Sequence, residues 1–167
     1  MMFYLIIFLN IIVILLLLKI YSLKRTEKTA ETEAKRQFQR AESSDASKAV
    51  LLLWLKHKAH GHKLSAYFTE HNMKTIAIYG MAEAGILLYR ELKNDGIHIA
   101  CGIDRSSRYV CDDLNIIKPD EFTGNVDAVI VTPVYYFSEI YDLFHDKFKG
   151  AIPILGMDEI LYGLGEV

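Results

Sequence analysis

Thr75-Ile-Ala-Ile-Tyr-Gly80-Met-Ala-Glu-Ala-Gly85 is the stretch that decides the fold. Thr75–Tyr79 is a short apolar run with β-branched residues, which predicts a strand. Gly80 follows where the chain must bend sharply. From Glu83 to Lys93 the apolar residues recur at helical spacing: Ala84, Leu88 and Leu92 share one stripe, with Leu87 beside it. Asn94-Asp95-Gly96 then ends the helix, because glycine accepts the left-handed exit. Ile97–Ile103 reads as the next strand and ends in Asp104. The whole is a β-α-β unit of about thirty residues, the length a parallel crossover needs.

Such a turn has general chemistry. A helix N-terminus leaves main-chain N–H groups free and carries positive partial charge, so a phosphate can sit there. Glycines let the backbone approach it, and an acidic residue closing the second strand accepts hydrogen bonds from ribose hydroxyls. Gly80 fits the first glycine of the pattern, Gly85 the third and Asp104 the acidic position. Ala82 stands at the second glycine, where a methyl group crowds a pyrophosphate. Glu83 helps the helix dipole but adds negative charge beside the same anion. The spelling predicts a Rossmann-like, open and mostly parallel sheet with flanking helices. It leaves two uses open: a bound nucleotide, or a turn kept for tight helix–strand packing. The candidate cofactor-binding residues are Gly80, Met81, Ala82, Glu83, Gly85, Asp104 and Arg105, with Arg108 on the same loop.

Downstream, Asp112–Phe122 has little helical periodicity, so the second crossover helix is short or absent, and Ile116-Ile117 reads as a brief third strand. Asp127-Ala-Val-Ile-Val-Thr-Pro133 is a fourth, fully buried strand. Thr132 and Pro133 join the candidate site because ligands of open α/β sheets collect at carboxyl strand ends. Phe137, Ile140, Tyr141, Phe144 and Phe148 form a helical stripe. Gly150–Leu155 reads as a last strand and Met157–Tyr162 as a closing helical turn.

Upstream, Met1–Ile20 is apolar apart from Asn10 and Lys19. Its length suits a transmembrane helix across a bilayer core of about 30 Å. No basic n-region or A-x-A-like exit marks it as a cleaved signal. Lys19, Lys24, Arg25 and Lys28 follow the run, so the positive-inside rule predicts a single-pass protein of the cell inner membrane with its C-terminal domain in the cytoplasm. Residues 22–48 are a charged helical spacer, interrupted at Ser43-Ser-Asp45. Residues 49–72 are lead-in helices broken at Gly61, and 73–167 are the Rossmann-like domain. His57, His60 and His62 lack a nearby cysteine or carboxylate to complete a tetrahedral set and read as solvated surface, so no metal is expected.

A formal net charge of −2 and the lack of a basic stripe interleaved with aromatics argue against nucleic acid. Cys101 and Cys111 have no CxxC arrangement and read as thiols of a reduced compartment.

The stretch from Lys74 through Leu92, with Gly102-Ile-Asp104 and Asp127-Ala-Val-Ile-Val-Thr-Pro133, resembles small Rossmann-like domains of bacterial polysaccharide biosynthesis proteins. These include glycosyltransferase-associated modules and the N-terminal domain of sugar acyltransferases. The resemblance covers roughly residues 52–164, since Trp54-Leu and Tyr67-Phe are similar to the lead-in of the glycosyltransferase-associated modules. Members of that family usually carry glycine where Ala82 stands. The resemblance implies a nucleotide or nucleotide-sugar pocket at Gly80–Gly85 and Asp104, in capsule or surface-glycan assembly. Neither hexapeptide repeats nor a glycosyltransferase domain accompanies it. The expected function is a membrane-anchored binding or scaffolding module working beside polysaccharide-biosynthesis enzymes. The alternative is an NAD(P)- or nucleotide-sugar-dependent enzyme of oxidoreductase or epimerase type. Tyr89-x-x-x-Lys93 matches the short-chain dehydrogenase spelling but lies on the first helix, too early in the topology. No catalytic set is identified, and enzymatic activity stays open.

Overall fold

In a computed structural model the described residues are 2–106, 111 and 113–166, with the backbone alone for 3–15. Five strands, β1 (Thr75–Tyr79), β2 (His98–Ile103), β3 (Ile116–Ile117), β4 (Ala128–Val131) and β5 (Ile154–Gly156), form one sheet in the order β3-β2-β1-β4-β5. Every pairing is parallel. This is a doubly wound arrangement, whose strand order reverses between β1 and β4. The last strand is shorter than its sequence suggests, because Gly150 turns the chain and only the Pro153 carbonyl, which accepts the Val129 N–H at 2.9 Å, reaches β4 before Ile154.

The helices are α1 (Met2–Ala59), α2 (Leu64–Glu70), α3 (Glu83–Asn94), α4 (Phe137–Phe148) and α5 (Met157–Gly163), with a 3₁₀ turn at Val134–Tyr136. The chain divides into two units, Met1–Glu42 and Ser43–Val167. The first unit is α-helix. The second holds the sheet, and strand alternation builds two cores there. Ile76, Ile78, Ala128 and Ile130 point to one face and pack with Val50 and Trp54 of α1, with α2, with Leu88 and Leu92 of α3, and with Met157, Ile160 and Leu161 of α5. Ala77, Tyr79, Val129 and Val131 point to the other face, against Phe122 and against Ile140 and Phe144 of α4. A register shift opposite Ile76/Ala77 changes the phase of β2, so Ile99 serves the first core while Cys101 and Ile103 serve the second. Burial pushes the Cys101 thiol up to about 11, which leaves it an inert packing group.

Three sequence expectations need correction. The membrane-spanning helix, and with it the membrane partner and the single-pass inner-membrane placement, is not upheld: among the described residues no helix is long and apolar enough to cross a membrane. The apolar run is no separate element but the opening of α1, which continues through the charged spacer. Lys19, Lys24, Arg25, Glu27 and Lys28 crowd the described part that follows, and each charge near a bilayer centre costs about 3 kcal/mol. The side chains of residues 3–15 lie outside those described. Second, Ser43-Ser-Asp45 does not interrupt the helix. The Ser47 hydroxyl donates back to the Ser43 carbonyl and Lys48 reaches Asp45, so these side chains bond within one continuous helix instead of capping a new one. Third, the histidines are not all solvated. His57 is 1% exposed, on the last turns of α1.

Candidate functional site

The switch between β1 and β4 opens a cleft of about 330 Å³ at the carboxyl end of the sheet. It is built from three chain segments. After β1, Gly80 bends the chain at φ +91°, a conformation glycine adopts without penalty. A Cβ there would also lie 2.5 Å from Pro133 Cδ, so the bend requires glycine twice over. Gly85 answers a different need: a Cβ on it would run into the Gly80 carbonyl oxygen, and its absence lets α3 sit directly against the strand end. Ala82 occupies the N-cap of α3 in extended conformation and no side chain caps the helix. The helix therefore meets the cleft with its first main-chain N–H groups uncapped by any side chain.

After β2, Asp104 works inside the protein. Its Oδ2 accepts the Met81 N–H at 2.8 Å and its Oδ1 accepts the Ser106 N–H at 2.7 Å. The carboxylate expected to meet a ribose is thus first a clamp on the glycine turn and its own loop. Each oxygen keeps a second lone pair for a ligand. Arg105 reaches across to Glu139 in the first turn of α4, with Nη2 2.7 Å from Oε1. Glu139 holds the Arg105 pKa above its ordinary value. Tyr79 lies beneath, and burial raises its phenol pKa, with the nearby Arg105 pulling the other way.

After β4, the Thr132 hydroxyl donates to the Gly80 carbonyl at 2.7 Å and its N–H donates to the Tyr79 carbonyl at 3.0 Å. This ties the ends of β1 and β4 together across the switch.

Of the residues singled out from sequence, Gly80, Ala82, Asp104, Arg105 and Pro133 line the cleft together. Met81 does not. It is fully buried, packed over Gly102, where a Cβ would come within 2.8 Å of its sulfur. Glu83 is exposed on the first turn of α3, and Gly85 and Thr132 act behind the cleft wall. Arg108 lies outside the described residues. Sequence reasoning missed Tyr79, Ser106, Tyr136, Glu139 and Ile140, which complete the lining. Tyr79 had a signal, as the last strand residue before the turn. Glu139 had a weaker one, an acid in the first turn of a helix that follows a carboxyl strand end.

Tyr89 and Lys93 sit toward the other end of α3. Lys93 pairs with Asp113 at 2.7 Å, and that bond leads the causes that raise its pKa. Neither residue lines the cleft. Among the described residues no group of three or more histidines, cysteines or carboxylates is placed to hold a metal ion.

No protein-family model, curated protein or solved structure matches this chain.

Proposed function

We propose that the domain is a binding module for a nucleotide-type ligand, with its diphosphate at the Gly80–Gly85 turn. The observation that carries this reading is the position of the cleft. It opens at the β1/β4 switch, where open α/β sheets bind ligands, and the uncapped start of α3 lies on its wall. The resemblance to modules of polysaccharide biosynthesis makes a nucleotide-sugar the first ligand to try and enzymes of surface-glycan assembly the partners to seek. NAD(P) is the competing ligand.

Calorimetric titration of the full chain with UDP-sugars, NAD and NADP tests the reading. Saturable heat with one of them, lost in Gly80→Ala, supports it. Turnover accompanying dinucleotide binding would favour an enzyme over a binding module. Silence from every ligand would refute the proposal.

A further inference from the structure

His57 is a buried titratable group that the cleft does not use. Its Nδ1 lies 3.0 Å from Nδ1 of His62, with the two rings 5.3 Å apart, and its carbonyl accepts the His62 N–H at 2.9 Å. Its Nε2 is buried without a hydrogen bond of good geometry among the described residues, and the Leu161 main chain is the polar group that faces the ring. Two facing Nδ1 atoms can bond only if one carries a proton and the other a lone pair. Opposite neutral tautomers satisfy this, and so does one imidazolium donating to one neutral ring. Two imidazoliums cannot, because both nitrogens of each ring are then donors.

We propose that the His57–His62 pair is an acid-released latch, closing the loop after α1 onto the helix's last turn, where His57 is buried. Of the groups acting on His57, the Leu161 main chain favours a charged ring and no carboxylate does. From α1 come Lys56 and Lys58, and from the loop after it His60 and Lys63. From α3 come Glu91 and Asp95, both already engaged: Glu91 takes Lys58 at 2.7 Å and the Trp54 indole N–H at 3.2 Å, and Asp95 takes Lys63 at 3.1 Å and Ser65 at 2.8 Å. On α5 the Leu161 main chain faces His57, while Asp158 lines a groove with Lys56 and Glu159 acts on Tyr67 of α2. Burial first, and then His62, holds the His57 pKa below its ordinary value. The Leu161 main chain pulls it up and His60 adds to the depression. The folded form therefore binds fewer protons at His57 than the unfolded chain does. Stability from the neutral ring is complete above the unfolded value of about 6.5 and is lost as pH falls through the lower folded value.

Trp54 is the only tryptophan and sits one turn before His57, 6% exposed. Its fluorescence in the full chain reads the latch directly. Between about pH 8 and about pH 5, where histidines titrate and carboxylates stay charged, the emission should shift to longer wavelength. In His62→Asn the shift should lose its midpoint in this range. A flat wild-type emission, or an unchanged midpoint in the variant, overturns the proposal. Should the variant fail to fold, imidazole NMR of the wild-type chain decides. Coupled titration of His57 and His62 supports the latch, and independent single-step titrations overturn it.

Discussion

The two faces of the sheet are closed in different ways. On one, α1, α2, α3 and α5 press aliphatic side chains together with Trp54, Tyr67, Phe68 and Tyr89 onto Ile76, Ile78 and Ile130. On the other, a single helix and a set of rings suffice: Phe144 meets Tyr79 and Phe122 edge-on, and Phe148 stacks beside it. The cleft belongs to the thinner face, since Tyr79 and Ile140 are members of that core and also line the opening. A thick face can stabilise the domain without touching ligand. The thin face cannot be altered without altering the site.

The largest test of this contrast pairs two truncations of fully buried residues. Phe144→Ala should cost about 3–5 kcal/mol and Leu88→Ala about 2–5 kcal/mol, measured by urea denaturation. Only Phe144→Ala should also weaken ligand binding by the molecules that remain folded. Equal effects on binding would break the distinction.

Gly80→Ala comes next. A side chain at φ +91° against Pro133 should cost about 1–3 kcal/mol in the same assay. Thr132→Val removes the hydroxyl that binds the Gly80 carbonyl and should cost about 1 kcal/mol. Because this bond joins β1 to β4, amide hydrogen exchange should rise at both strand ends and not at β2.

A smaller, pH-dependent effect belongs to Asp127. Its Oδ2 accepts the N–H groups of Thr75 and Lys74 at 2.8 Å each, and these bonds hold its pKa below the usual carboxylate range. Its contribution is complete above the unfolded value and is lost as pH falls through the lower folded one. The denaturation midpoint of the wild-type chain should drop in that acid window more than that of Asp127→Asn. Smallest of all, Glu139→Gln should change stability by no more than about 1 kcal/mol, since both partners of the Arg105 pair are more than half exposed. Any clear change should appear in ligand affinity instead.

Much of the fold was legible because it is written locally. The Thr75–Gly85 spelling, the Asn94-Asp95-Gly96 stop and the short Ile116-Ile117 strand each carry their own signal within a few residues. Glu139 was not, because it reaches Arg105 only through the parallel return of α4. The burial of the Met81 side chain was not legible either: the turn aims it inward, and Gly102, a strand away, makes the space. The apolar opening of the chain misled most. Length and hydropathy alone cannot show that it runs on as one helix into the charged stretch, and the placement inferred from it fell with it. His57 was hidden likewise, since its burial depends on α5, a hundred residues later.

The outer strands of the sheet have a consequence of their own. β3 spans two residues and β5 three. So brief a hem exposes few unsatisfied main-chain groups, which guards the domain against stacking side by side into fibrils. Strand addition at either edge gains few main-chain hydrogen bonds.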